Sequence, residues 1–599
     1  MCGITGWVDF ERDLRGEIPQ IIEMTNKLAH RGPDSEGIWG RKHVLFGHRR
    51  LAVIDLEGGK QPFEKSGYVI IYNGELYNTD SLREQLKKCG HTFSTTSDTE
   101  VLLTAFIEWK EECIAYLDGI FAFAIWNIEK ESLFLCRDRL GVKPLFYKET
   151  AAGLLFGSEI KALLAHKEVP AEVSLSGLTA LLSMGPSRII GDGIFNGVKE
   201  LKPGHAMVVK KHQKTIWRYW TVRQCEHTHS IDETAEHVRE LVTQAIQKQL
   251  VSDVPLCTFL SGGVDSSIIT AIAASAAPLA TYSVGYEDNH RYFQKNAFQT
   301  TEDVYWINLM SEAFNTKHKE VLLPQEELIT HLEQAMLHKD MPSMADIDSS
   351  LYLFSREIKK DFTVALSGEC ADELFGGYPW FYEDYTSFPW IRSIKAREQL
   401  LNVDWRERLQ LSSFLEETFH HAVNEAPAMT GTASEVRHQQ LFYLNQQYFM
   451  QTLLERKDRM TMAQGLEVRV PFADHALVEY VWNIPWEMKH INNQEKGILR
   501  KAFEGIVPDE VLHRKKNPYP KTYHPHYTEG VQKLLKELLQ NKDSILHELF
   551  EKNKIEALVN SGGDSFDVPW FGQLMAGPQL LAYFIQFHLW FERYRINIV

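Results

Sequence analysis

Two apolar rhythms run along the chain. In the first third, short apolar runs at residues 4–8, 68–72 and 121–126 predict strands, and residues 98–112 carry a helical period that Ser97 is placed to cap. Leu201-Lys202-Pro203-Gly204 predicts a turn, and a polar stretch from about residue 210 to 230 then interrupts the pattern. Beyond it a helical segment from Ile231 leads into the apolar run 254–260, which reads as a buried strand, and residues 268–273 read as the helix that follows. Further strands are predicted at 281–285 and 362–366, with helical runs between them. That alternation is the βαβ signature of a parallel sheet, in which ligands gather at the carboxyl ends of the strands. After about Pro520 the pattern is amphipathic helix without a chemical motif. The division that results is a domain over residues 2–210, a linker over 211–230 and a second domain over 231–599.

Composition narrows the class. A chain of 599 residues is too long for one core, and 44% hydrophobic with 24% charged residues is an ordinary globular mixture. A formal net charge of -16 argues against a nucleic-acid partner, whereas a small phosphate-bearing ligand needs only local lysines and a divalent cation to offset that field. The seven cysteines, Cys2, Cys89, Cys113, Cys136, Cys225, Cys257 and Cys370, show no C-x-x-C pair and no disulfide framework, a reducing-compartment pattern. The N-terminus has no secretory pattern and no apolar run is long enough to span a bilayer, so a cytoplasmic location without membrane attachment is expected. His227 and His229 lie in the polar linker without matched ligands elsewhere, so no zinc is assigned.

Three stretches carry chemistry. Leu260-Ser261-Gly262-Gly263-Val264-Asp265-Ser266-Ser267 places glycines and hydroxyls between a strand and a helix, so backbone N–H groups gather where the helix dipole favours an anion. It lacks the lysine and spacing of a Walker loop, which points to pyrophosphate rather than to transfer of a terminal phosphate. After the third strand, Ser367-Gly368-Glu369-Cys370-Ala371-Asp372-Glu373 again sets glycine beside acids. Acids next to a triphosphate need a cation between them, so Asp265 and Asp372 are the magnesium candidates. At the other end of the chain, removal of Met1 would give Cys2 both a thiol and an α-amine, a nucleophile with its own base.

S-G-G-x-D-S resembles the PP-loop of the ATP pyrophosphatases, and the N-terminal third resembles the glutaminase domain of the class II amidotransferases. The second likeness rests on Cys2-Gly3-Ile4, His30-Arg31-Gly32-Pro33-Asp34, His48-Arg49-Arg50, Tyr72-Asn73-Gly74-Glu75 and Ser97-Asp98-Thr99-Glu100, taken in order. With Glu467-Val468-Arg469-Val470-Pro471-Phe472 and Glu495-Lys496-Gly497, the whole is similar to the glutamine-hydrolysing asparagine synthetases over nearly all of residues 2–520. The resemblance implies an N-terminal Ntn-hydrolase αββα sandwich and a C-terminal parallel-sheet PP-loop domain with added helices. It also implies a Cys2 nucleophile, an oxyanion hole from Asn73 and Gly74, and glutamine held by Arg50, Asn73, Gly74, Glu75 and Asp98. ATP is expected at Leu260, Ser261, Gly262, Gly263, Asp265, Ser266, Val284, Ser367, Gly368 and Lys496, with Glu369 handling protons when ammonia attacks. The implied reaction consumes glutamine, aspartate and ATP, with a sealed passage for ammonia between the two sites and a homodimer left open. One departure bears on the acceptor: residues 341–350 are acidic where some relatives have threonines and an arginine, and residues 286–308 are long and aromatic-rich. Another carboxylate, such as a cell-wall precursor, is therefore the rival acceptor, and a non-catalytic relative is the rival outside enzymes.

Overall fold

The computed structural model describes residues 2–211, 213–293, 302–566 and 568–599. In the first domain the strands must satisfy neighbours on both faces. Strand Tyr68–Leu76 sends Val69 and Ile71 one way and Ile70 and Tyr72 the other, and all four are buried. The first pair meets Ile4, Val8, Phe46, Leu135 and Phe156 between two six-stranded antiparallel sheets. The second pair packs with Leu82, Leu86 and Phe106 from helices Thr79–Lys88 and Asp98–Trp109. Across the other sheet Trp7 meets Ile21 and Met24 of helix Ile18–Asn26. The layers are helix, sheet, sheet, helix, as the resemblance implies. Ser97 caps its helix as expected, its hydroxyl accepting from Thr99 N–H, but the helix ends at Trp109 and Lys110 turns left-handed (φ 53°) into a 3₁₀ stretch.

Part of the segment read as linker is sheet. Strand Gln213–Arg218 pairs antiparallel with His205–Lys210 at the sheet's edge, with most of its side chains exposed. An edge strand facing water is as polar as a linker, so composition alone did not separate the two. Helix Ile231–Gln249 follows, opened by a Ser230/Glu233 capping box.

The second domain is built on a five-stranded parallel sheet in the order Lys317–Leu323, Ala280–Tyr286, Leu256–Phe259, Val364–Leu366, Glu467–Arg469. Both outer neighbours of Leu256–Phe259 were expected; the edge strand Glu467–Arg469 was read only as a motif. Helices cover the sheet, and its core runs on without a break into Leu178, Leu181 and Met184 of the first domain's helix Leu175–Met184. The tail closes the molecule. Helix Pro578–Tyr594 is largely buried, and Asn597–Ile598 pairs in parallel with Glu172–Val173 of the first domain. Among the described residues no helix is long and apolar enough to cross a membrane.

Candidate active sites

Cys2 sits at the start of the central strand Gly3–Asp9 and is buried. Its N–H donates to Asn73 Oδ1 at 2.8 Å, and Arg31 Nε donates to its carbonyl at 3.0 Å. With Oδ1 so engaged, the amide's other end is fixed: Asn73 Nδ2 is buried and has no partner among the described residues. A buried donor left unmade costs about 1–3 kcal/mol, so it is what a site holds ready for an oxygen yet to come. Asn73 and Gly74 lie inside strand Tyr68–Leu76, opposite Ala122 and Phe121. A Cβ on Gly74 would lie 2.2 Å from the Ile120 carbonyl, so only glycine lets the two strands approach here. Met1, whose removal the nucleophile requires, lies outside the described residues.

Arg50 and Glu75 act on the thiol, and Asp98 lies beside Glu75. Arg50 ends strand Val44–Arg50, and its guanidinium donates to the carbonyls of Ile54, Asp55 and Leu56 at 3.2, 2.6 and 2.8 Å. Asp98 Oδ2 accepts from the Tyr72 hydroxyl at 3.0 Å and from Leu76 N–H at 3.2 Å. Burial pushes Asp98 above the ordinary carboxylate range, and Glu75 well above it, with Glu467 and Asp98 adding to the burial of Glu75 and Arg469 opposing it. Two adjacent buried acids that resist ionisation are relieved by an arriving ammonium. The Cys2 thiol is raised by burial, against which Leu51 N–H and Arg50 act.

The second site is a cavity of about 250 Å³ at the carboxyl ends of the parallel strands. Helix Val264–Ala276 begins there at Gly263 with no side-chain cap, so its first N–H groups face the cavity mouth unclaimed by a side chain. Ser261 and Ser266 hydroxyls bond each other at 3.1 Å and fix the loop. Gly262 has φ +66°, and a Cβ there would strike Trp306; it makes the turn, and of the ten positions expected at ATP it alone does not line the cavity. Leu260, Val284, Ser367 and Gly368 do line it.

Lys496 is buried and left-handed (φ 55°). Its Nζ lies 2.8 Å from both Asp265 Oδ2 and Asp372 Oδ1. The two carboxylates thus converge on one cation position. Burial raises Asp265, with Asp372 adding and Lys496 opposing; Lys496 and Lys516 outweigh burial at Asp372 and hold it below its ordinary range. Hard oxygen donors on two loops suit magnesium, which binds through one or two carboxylates plus phosphate oxygens.

Several cavity residues were not foreseen. Lys516 pairs with Asp372, and Arg514 donates to the Ser261 carbonyl at 3.1 Å; both come from a segment without secondary structure that no local pattern marks. Arg456 and Lys457 come from helix Met450–Met462, where their spacing reads as a solvated face. Gly572, Gln573 and Leu574 come from the tail that sequence left without chemistry. Of the acidic stretch 341–350 only Met344 reaches the wall. Asp346 instead accepts from Gln579 at 3.3 Å, and Asp348 pairs with Arg456 at 3.0 Å. Of residues 286–308, those from 294 to 301 lie outside the described residues; Asp303 and Ile307 line the cavity.

Buried charge joins the two sites. Arg31 donates to Asp458 at 2.8 and 3.1 Å and to Glu159 at 3.0 Å, all three side chains essentially hidden from solvent. Arg459 pairs with Asp340, and Arg469 bonds Glu467 at 2.7 Å while approaching Glu75 at 3.9 Å. Beside these, Leu51, Val53, Val364 and Met462 form a small apolar cluster between the domains.

A thiol-bearing αββα sandwich fused to a parallel sheet with a phosphate-type loop defines a two-domain, glutamine-dependent ligase. Residues 1–220 match the glutamine amidotransferase domain family and residues 237–592 match the family described as asparagine synthase. The chain belongs to the asparagine synthase family. It is 55% identical to "Asparagine synthetase [glutamine-hydrolyzing] 3" of Bacillus subtilis, covering 100% of both chains. It is 34% identical to "Asparagine synthetase [glutamine-hydrolyzing] 1" of the same organism over 87% of each chain. It is 30% identical to "Asparagine synthetase [glutamine-hydrolyzing]" of Homo sapiens over 87% of this chain and 84% of that one.

Proposed function

We propose that the protein makes asparagine from aspartate, with glutamine as nitrogen donor and ATP converted to AMP and pyrophosphate. The observation that carries the reading is the pairing, in one chain, of an unpartnered buried Asn73 Nδ2 beside Cys2 with a cavity in which Asp265 and Asp372 meet Lys496.

In the first site the Cys2 thiol attacks the glutamine amide once the α-amine of the processed terminus takes its proton. The oxygen that turns negative meets Asn73 Nδ2 and Gly74 N–H, contacts of a kind worth about 3–4 kcal/mol each. Arg50, held by three carbonyls, faces the α-carboxylate of glutamine, and Asp98 with Glu75 faces its α-ammonium. The tetrahedral intermediate collapses to the thioester as its C–N bond breaks and the nitrogen leaves as ammonia with the proton that the α-amine had taken; water then hydrolyses the thioester to glutamate and frees the thiol. Neutral ammonia, and not ammonium, is the nucleophile, so a dry route matters; the apolar contacts of Leu51, Val53, Val364 and Met462 offer one.

In the second site the loop N–H groups and Ser261 cradle the phosphates leaving as pyrophosphate, and Lys496 with Lys516 bears part of their charge. Asp265 and Asp372 would hold magnesium, which supplies charge neutralisation on those phosphates. The acceptor carboxylate takes up AMP, ammonia attacks the acyl carbon, and Glu369 accepts the proton that the nitrogen loses.

The test is product analysis. Purified protein with glutamine, ATP, magnesium and aspartate should yield asparagine, glutamate, AMP and pyrophosphate in equal amounts. Glutamate and pyrophosphate formed only with a different carboxylate would replace the acceptor and keep the chemistry. ADP in place of AMP would overturn the adenylation reading itself.

A further inference from the structure

Glu369 has a partner that the motif around it does not announce. Lys457 Nζ lies 2.9 Å from Glu369 Oε1 inside the cavity wall, with the ammonium 5.0 Å from the centroid of the Phe259 ring. Lys457 is 4% exposed. Its position is over-determined. The residues flanking it on helix Met450–Met462 are pinned by ion pairs, Arg456 to Asp348 at 3.0 Å and Asp458 to Arg31 at 2.8 Å, and Arg459 pairs with Asp340. The lysine does not share the cluster of Asp265, Asp372 and Lys496 at the phosphate end; its ion pair is with Glu369 alone among the described acids.

We propose that Lys457 is the positioning residue that keeps Glu369 a carboxylate, and therefore a proton acceptor, when ammonia attacks the acyl-adenylate. The inference rests on the reading of Glu369 given above. In the step itself the ammonia lone pair forms the C–N bond while the carbonyl π pair moves to oxygen. The nitrogen, now carrying a fourth bond, loses a proton to Glu369. The oxygen pair then restores C=O as the C–O bond to AMP breaks, and AMP departs with that electron pair. The balance is acyl-AMP plus ammonia giving amide, AMP and one proton, which Glu369 returns to solvent.

The proton transfer needs Glu369 ionised beforehand, and its surroundings divide on that point. Burial is the largest influence and favours the neutral acid, as does Asp372; Lys457 first and Arg456 second oppose them, and the carboxyl ends below its ordinary range. The other groups facing it among the described residues are Cys370, Glu373 and Tyr378 on its own loop, helix and the turn after it, and Tyr519 from the 515–520 segment, and none of them is a cation. Arg456 is already committed to Asp348. Without Lys457, only Arg456 opposes burial and Asp372, and the carboxyl shifts toward its neutral form.

The experiment measures amide formation from pH 6 to 9 in the full-length enzyme, with free ammonia held constant, for wild type, Lys457→Met, Lys457→Arg and Glu369→Gln. Acceptor-dependent ATP–pyrophosphate exchange, which precedes the proton step, is followed in parallel. Lys457→Met should bring into this range an acid limb of amide formation that wild type lacks, with the exchange profile unmoved, and Lys457→Arg should return the profile toward wild type. A wild-type pH profile in Lys457→Met beside an inactive Glu369→Gln overturns the proposal while leaving the Glu369 reading intact. A raised acceptor KM with a wild-type pH profile also overturns it and makes the lysine an acceptor ligand. Wild-type amide formation in Glu369→Gln removes the reading on which the proposal stands.

Discussion

At the scale of single residues the molecule separates groups held ready for substrate from groups that burial merely tolerates. Asn73 is of the first kind: one end of its amide fixes the Cys2 N–H and the other end is left over. Asn73→Ala should lower kcat for glutamine hydrolysis by about 10²–10³-fold with little change in KM, because the lost contact forms only as the oxygen becomes negative. A rise in KM at constant kcat would make Asn73 a ground-state ligand instead. Lys489 is of the second kind. It is buried 3.8 Å from the centroid of the Phe442 ring, and burial pulls its ammonium down to about 7. A base whose folded pKa lies below its unfolded value near 10.4 binds more protons when unfolded across that interval, so its contribution to stability is full above about pH 10 and is lost as pH falls through 7. Urea unfolding should therefore show wild type gaining stability from pH 7 toward 10 relative to Lys489→Met, by a few kcal/mol at most. Parallel pH curves for the two proteins would show that Lys489 keeps its charge in the fold.

At the scale of elements, what could be read from sequence is what depends on near neighbours. The turn at Ser261–Ser267 is legible because glycines, hydroxyls and the following helix lie within eight residues, and the Asn73-Gly74 pair because its strand is apolar on both sides. Helix Met450–Met462 is opaque for the opposite reason. Arg456, Lys457, Asp458 and Arg459 in a row look like a water-facing surface, yet each is at most 5% exposed and each is neutralised by a partner about 90 to 430 residues away. No window on the sequence contains both members of such a pair. Strand Gln213–Arg218 was missed because an edge strand and a linker share their polarity, and the tail's part in the cavity because Gly572 and Leu574 carry no chemical signature. The helix also yields a stability prediction. Asp458→Leu strands Arg31 without its bidentate partner and should cost about 3–5 kcal/mol in unfolding free energy, whereas Arg31→Met with Asp458→Leu should recover most of it. Additive losses in the double variant would mean that Arg31 stabilises through Glu159 or the Cys2 carbonyl rather than through Asp458.

At the scale of the whole molecule, two active sites are held in fixed relation by a shared core, by buried ion pairs and by a C-terminal strand that returns to the first domain. That rigidity has a chemical purpose if ammonia is to be passed across, because ammonia that reaches water is mostly protonated at neutral pH and ceases to be a nucleophile. The apolar cluster lies between the sites: Leu51 N–H interacts with the Cys2 thiol at one end, and Val364 starts the strand that leads to Glu369 at the other. Val53, 2% exposed, sits within it. Val53→Phe adds volume there at a packing cost of about 1–3 kcal/mol, which leaves the fold standing. Glutamate production and synthesis from added ammonia should both persist, while amide formed per glutamate released falls well below its wild-type ratio. An unchanged ratio in a folded variant would move the route away from this cluster, and the charged seam along Arg31 and Glu159 would then be the next segment to obstruct.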